Sequence, residues 1–330
     1  MRRKAVICGV DFYAGDGVSN LKGCTNDAIG LEDRLRNNLS DNSANFETRC
    51  LTATNAEQQV NRRSLDGAID DLFGGKGDVA LFYFSGHGFR GTDGAYLLTS
   101  DAEEPREGVS VTSLYKRAAE SKVENRIIIL DCCDSGGVGD SLLRDGLSEL
   151  PEGMTILTAT RTTEAAVEQD GQGVFTSLLF EALEGTAANI LGEITPSSVY
   201  ALIDQSLGNF GQRPLFKTNV EHFISLRTVT PPISRTDLKT IAKLFPERGY
   251  SHALDPSYEP KRTGADIEEG WPEPDPANTA KFRVLQTMNR LALVVPENAE
   301  HMYDAAVEAK SCRLTGLGEH YRRLVELNRI

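Results

Sequence analysis

The chain has 330 residues, 40% hydrophobic and 25% charged, with a formal net charge of −13 at pH 7. That length suits one large domain plus a smaller one, and no apolar run approaches the roughly 18 to 20 residues of a membrane span. From Thr230 onward 14 Lys/Arg face 15 Asp/Glu, whereas the preceding part carries 21 against 33, which argues against a nucleic-acid backbone as partner and is compatible with a cationic substrate or with ordinary solubility charge.

Lys4–Val10 is a short apolar run behind a basic start. It is too short for a secretory core and reads as a first strand. Asn26–Leu39 carries apolar residues at helical spacing, Phe46–Leu51 reads as strand, and Val60–Phe73 as a helix stopped by Gly74-Gly75. Asp78–Phe84 is a continuous apolar strand, followed by a helix over Ser110–Ala119 and strands over Arg126–Leu130 and Met154–Ala159. Helices over Val174–Leu183 and Pro196–Leu207, then Pro214–Phe216 and His222–Leu226, complete the pattern. Strands alternating with helices predict an α/β fold, a mostly parallel sheet covered on both faces.

A break falls at Thr230-Pro231-Pro232, giving domains over 1–229 and 230–330. Beyond it, Ser234–Phe245, Lys281–Leu293, His301–Ala309 and Glu319–Leu327 read as helices, and Ser251–Asn278 as a Pro/Gly/acid-rich loop. The second domain is therefore expected to be small and mainly helical. Six irregularly spaced cysteines without zinc spacing point to a reducing, cytoplasmic setting.

Two runs carry the chemistry: Tyr83-Phe84-Ser85-Gly86-His87-Gly88 and Asp131-Cys132-Cys133-Asp134-Ser135-Gly136. Each follows a strand, where open α/β sheets place their chemistry, and 46 residues separate His87 from Cys133. A histidine and a cysteine brought together at strand ends make a general base and a nucleophile.

With these runs the chain resembles the caspase-like cysteine peptidases, closest to the metacaspase and bacterial caspase-homologue branch. Leu21–Ala28, Thr158-Ala159-Thr160-Arg161 and Gly173-Val174-Phe175-Thr176 extend the resemblance over Lys4–Arg227. It implies a caspase-haemoglobinase-like six-stranded sheet flanked by helices. It also selects Cys133 over Cys132 as nucleophile, with His87 as base and the backbone N–H groups of Gly88 and Cys133 as oxyanion donors. No third acid is assigned.

By the same resemblance, Cys24, Asp27, Ser85 and Asp131 line the pocket for the residue before the scissile bond. Two carboxylates in a partly desolvated pocket need a cation between them, which a substrate Arg or Lys supplies. The local alternatives are a helix N-terminal acid for Asp27 and a strand-end cap for Asp131. Thr158, Ala159 and Thr160 are expected to form an edge for an extended substrate, or a plain strand-to-loop passage. Arg144 is the candidate self-cleavage site, or a surface arginine. Asp101 and Asp140 fall near the calcium ligands of some metacaspases, but no convincing set of six to eight oxygens stands out, so these acids read as surface charge, with calcium binding as the alternative. No metal or other cofactor is assigned.

Bacterial caspase homologues often carry extra domains that gate the protease, some in antiviral defence with a partner enzyme making a nucleotide messenger. The resemblance thus implies a regulatory, ligand-sensing role for 230–330, with Arg313, His320, Tyr321, Arg322 and Arg323 as candidate anion contacts. A structural tail is the alternative. The overall expectation is an Arg/Lys-specific cysteine endopeptidase acting on protein or peptide substrates. A catalytically idle caspase-fold scaffold and acyl transfer to an amine are its competitors.

Overall fold

The computed structural model describes residues 2–133, 150–159, 168–169, 172–207, 214–220, 222–261 and 270–330. The chain divides into two compact units, Met1–Thr230 and Pro231–Ile330.

In the first unit a twisted sheet runs through β1 (Arg3–Val10), β2 (Glu47–Ala53), β3 (Val79–Gly91), β6 (Asn125–Cys133), β7 (Met154–Thr158) and β8 (Leu215–Asn219). The spatial order is β8-β7-β6-β3-β1-β2. All neighbours are parallel except β8, which returns antiparallel along β7. Two short strands, β4 (Gly94–Leu97) and β5 (Val109–Ser110), join through the far end of β3.

Alternation along the strands divides the core. Val6, Cys8, Phe82, Phe84, Ile128 and Leu130 face α2 (Arg62–Phe73) and α3 (Val111–Glu120). Ile7, Leu81, Tyr83, Ile127 and Ile129 face α1 (Cys24–Arg36), α4 (Val174–Glu181) and α5 (Pro196–Leu207). Burial on both faces explains why the central strands read as continuous apolar runs.

The strand limits differ from the sequence expectation where it matters. β3 does not end at Phe84; it stays paired with β6 as far as His87 opposite Cys133, then pairs with β4 from Gly88. His87 therefore sits where β3 leaves the parallel sheet, still held by ladder hydrogen bonds. His222–Leu226 is not strand; the pairing comes at Arg227–Thr228 instead.

The second unit contains α6 (Arg235–Lys239), α7 (Ile241–Leu244), α8 (Pro276–Arg290), α9 (Met302–Val307) and α10 (Gly316–Glu326). It is helix-rich as expected, but built on an antiparallel sheet that periodicity did not reveal. β9 (Ser251–Ala253) and β10 (Val294–Glu297) flank β11 (Ser311–Leu314). Phe245, Phe282, Leu285, Met288, Val294 and Cys312 fill its core.

Candidate active site

The loop between β1 and α1 is fixed by its own polar groups. The Asp11 carboxylate accepts from the backbone N–H of Cys24 at 2.9 Å and of Thr25 at 3.2 Å, capping α1 from outside the helix. That brings the start of α1 against β1 so closely that a Cβ on Gly9 would lie 2.1 Å from the Cys24 carbonyl oxygen. Tyr13 N–H donates to the Asn20 side chain at 2.8 Å, and Leu21 N–H to the Asp11 carbonyl at 2.8 Å.

This loop meets His87. The imidazole Nε2 lies 2.8 Å from the Ser19 carbonyl oxygen. A carbonyl only accepts, so Nε2 carries the proton and Nδ1 is the basic nitrogen. The backbone N–H of His87 donates to the Tyr13 hydroxyl at 2.7 Å, and the two rings lie 4.9 Å apart. Gly86 is required here: a Cβ would come within 2.8 Å of the Tyr13 hydroxyl and 2.9 Å of the Phe84 ring. Ser19 and Tyr13 were not foreseen from the sequence. Among the described residues, the group at His87 Nε2 is a backbone carbonyl.

Cys133 ends β6 at the register position opposite His87, and adjacent strands run about 4.8 Å apart. Cys132 is 1% exposed and packs in the core with Cys8, Tyr13 and Phe84. Gly88, paired with Leu97, follows His87 on the same strand.

Below the histidine, three elements bring together the four residues expected to line the specificity pocket. Ser85 and Asp131 are register partners on β3 and β6. The Ser85 hydroxyl donates to Asp27 Oδ2 at 3.2 Å and also bonds the Cys24 thiol. Asp27 is 2% exposed and Asp131 6%. Burial, opposed by the Ser85 hydrogen bond and aided by the charges of Asp11, Asp131 and Asp27, pushes the Cys24 thiol far up, so it stays protonated. The Thr176 hydroxyl on α4 donates to Asp131 Oδ2 at 2.6 Å, and the Tyr83 hydroxyl lies 2.6 Å from Thr176 Oγ1.

The expected substrate edge is corrected at Thr158. β7 lies between β6 and β8, so Thr158 faces Leu130 on one side and Leu215 on the other. The Ala159 N–H donates to the Leu130 carbonyl at 2.9 Å. The antiparallel return of β8 covers what the sequence suggested was an edge. Thr160 and Arg144 lie outside the described residues.

Asp101 caps α2 instead of joining a cluster: it accepts from the Arg62 N–H at 3.0 Å and the Thr99 hydroxyl at 2.7 Å. Asp140 lies outside the described residues, and among those described no group of three ligating side chains forms a metal site.

In the second unit, Arg322 pairs with Glu319 and Glu326, Arg313 with Glu297, and the Arg323 guanidinium lies 3.4 Å from His320 Nδ1. Tyr321 is buried. Among the described contacts, carboxylates pair with Arg313 and Arg322.

Comparison with known families bears on this arrangement directly. The family described as the caspase domain matches residues 2–221. The chain belongs to the caspase domain family. That family is one of cysteine peptidases. Among solved structures, caspase-1 from Spodoptera frugiperda is 14% identical with a TM-score of 0.50, covering 69% of this chain and 90% of its own. Protein GSU0716 from Geobacter sulfurreducens is also 14% identical, with a TM-score of 0.49 over 69% of this chain and 100% of its own. The similarity to the insect caspase supports the fold alone. A search of curated sequences finds no match. Among the described residues no helix is long and apolar enough to cross a membrane.

Proposed function

We propose that the protein is a metacaspase-like cysteine endopeptidase that cuts after Arg or Lys. His87, using Nδ1, takes the proton of the Cys133 thiol. The thiolate attacks the scissile carbonyl, and the N–H groups of Gly88 and Cys133 receive the oxyanion. His87 then returns the proton to the leaving amine, and water, deprotonated by the same nitrogen, releases the acyl group. The Ser19 carbonyl supports this reading by fixing the ring tautomer.

The observation that carries the specificity is the burial of two carboxylates, Asp27 and Asp131, around Ser85. Isolated buried carboxylates cost several kcal/mol each, and a cationic substrate side chain offsets that cost. An idle scaffold has no need of an oriented histidine or of this pocket.

Matched peptides ending in Arg or in citrulline, its uncharged near-isostere, test the proposal. Loss of the charge should lower kcat/KM by about 100-fold or more, corresponding to about 3 kcal/mol for a desolvated charge-assisted contact. Equal cleavage of the two would remove the basis for the specificity.

The reading keeps the 231–330 unit as a gate on the peptidase, supported by its being a compact unit with its own core. It does not extend to a nucleotide held by Arg313 and Arg322, since both are ion-paired. Deleting the unit should raise basal cleavage; unchanged turnover would count against gating.

A further inference from the structure

The hydroxyls of Tyr83 and Thr176 lie outside the four residues of the specificity pocket, yet they connect to it. Both side chains are fully buried, at 0% exposure. Tyr83 comes from the middle of β3 and Thr176 from the first turn of α4. Nothing in the peptidase chemistry calls on either, and in an apolar core each hydroxyl carries a desolvation cost unless bonded.

The proton count orders the chain. Thr176 has one hydroxyl proton, and it goes to Asp131 Oδ2 at 2.6 Å. The short contact between Tyr83 and Thr176, also 2.6 Å, then needs the phenol as donor. The chain runs from Tyr83 to Thr176 to Asp131, and the Tyr83 hydroxyl also bonds Ser85, which in turn serves Asp27. Burial, then the charges of Asp131 and Asp27, raise the Tyr83 phenol well above its ordinary value, so it remains a donor. A donor that itself accepts a hydrogen bond donates more strongly.

We infer that Tyr83 and Thr176 are positioning residues of the cation pocket, a two-hydroxyl relay that fixes the Asp131 carboxylate in its ionised form for the substrate's basic side chain. This rests on the Arg/Lys reading above. Among the described residues, the groups around Asp131 include Tyr83 and Ser85 of β3, Asp27 and Cys24 of α1, and Thr176 of α4. Asp27 adds like charge and Cys24 stays neutral, so the hydroxyl relay opposes the repulsion between the carboxylates.

The relay also explains a sequence motif that the dyad and pocket leave unused. In Gly173-Val174-Phe175-Thr176, Phe175 fills the core against α1 and the sheet, while Thr176 reaches the carboxylate. Valine at 176 has nearly the shape of threonine but no donor, so it isolates the hydroxyl from the packing.

Two measurements on the full chain test the relay. First, kcat and KM are compared for wild type, Thr176→Val, Thr176→Ser and Tyr83→Phe with a peptide ending in Arg. Thr176→Val should raise KM about tenfold, as expected for a lost hydrogen bond to a charged group, with a smaller change in kcat. Tyr83→Phe should shift KM the same way by less, and Thr176→Ser should restore it. Second, the Asp131 carboxyl is titrated by carbon NMR, with Asp131→Asn supplying the assignment. Its titration should move to higher pH in Thr176→Val and Tyr83→Phe.

An unmoved Asp131 titration in folded Thr176→Val overturns the relay. So does a loss of activity that only follows the folded fraction. Failure of wild type to cleave after Arg or Lys would defeat the substrate reading, while the NMR titration would still decide whether the hydroxyls hold Asp131 ionised.

Discussion

Replacing Tyr13 with phenylalanine removes one oxygen from the molecule, and the structure fixes what that oxygen does. It accepts the His87 backbone N–H at 2.7 Å in a part-buried position. Removing the acceptor leaves that N–H without this partner, a cost of about 1–3 kcal/mol. For a unit of this size that corresponds to a fall in Tm of about 2–4 °C per kcal/mol. The larger consequence is catalytic. Besides the bond of its carbonyl to the Leu98 N–H, His87 is held by its N–H on Tyr13 and its Nε2 on Ser19, and losing one of these loosens the ring's placement. If about 1.4 kcal/mol of the cost appears in the transition state, kcat/KM falls about tenfold. The second half of the test is Gly86→Ala. Its Cβ would crowd both the Tyr13 hydroxyl and the Phe84 ring, and overpacking of this kind costs about 1–3 kcal/mol. Removing the hydroxyl relieves one of the two contacts, so the double variant should be less damaged than the sum of the singles. The assay is kcat/KM beside urea unfolding for the four proteins. Unchanged turnover in folded Tyr13→Phe, or strict additivity with Gly86→Ala, would refute the reasoning.

Thiol labelling should separate Cys133 from the others at pH 7.5. Burial pushes Cys312 up to about 12 and Cys50 up to about 11, and raises Cys8 and Cys24 further. Mass spectrometry after brief iodoacetamide treatment should therefore find Cys133 modified first; earlier labelling of Cys24 or Cys132 would contradict the assignment. Burial lowers His252 below the ordinary histidine value, against a partial opposing effect from its bond to the Leu244 carbonyl. The unfolded chain then binds the proton first, so the second unit should lose stability as pH falls from about 7 through the ordinary histidine range. Hydrogen exchange over 251–258 should report this, and His252→Gln should flatten it; equal slopes would refute it. Gly9→Ala should cost about 3 kcal/mol or more in urea unfolding, because its Cβ meets the backbone oxygen of Cys24; a loss below about 1 kcal/mol would show that α1 can yield.

The site was legible in the sequence wherever function demands a residue type. A histidine between glycines and paired cysteines after an aspartate are unusual enough to be seen without a structure, whereas the pocket acids were placed only by the family resemblance. Ser19 was invisible because any residue's backbone carbonyl can serve. Tyr83 and Thr176 were hidden for a different reason: one reads as another apolar strand residue, the other as the start of a helix. The parallel core was legible from its apolar runs, but the end of β3 was not, since Gly86 and Gly88 read as a break while the ladder continues through them. Thr158 read as an edge because β8 returns from far along the chain. In the second unit, strands of three and four residues are too short to show a period of two.

The most direct test of the whole account uses a fluorogenic peptide ending in Arg, with wild type, Cys133→Ala, Cys132→Ala and His87→Ala, beside matched peptides ending in Lys and Asp. The account predicts cleavage after Arg and Lys that is lost in Cys133→Ala and His87→Ala and kept in folded Cys132→Ala. Cleavage after Asp, or activity that survives Cys133→Ala, would contradict it.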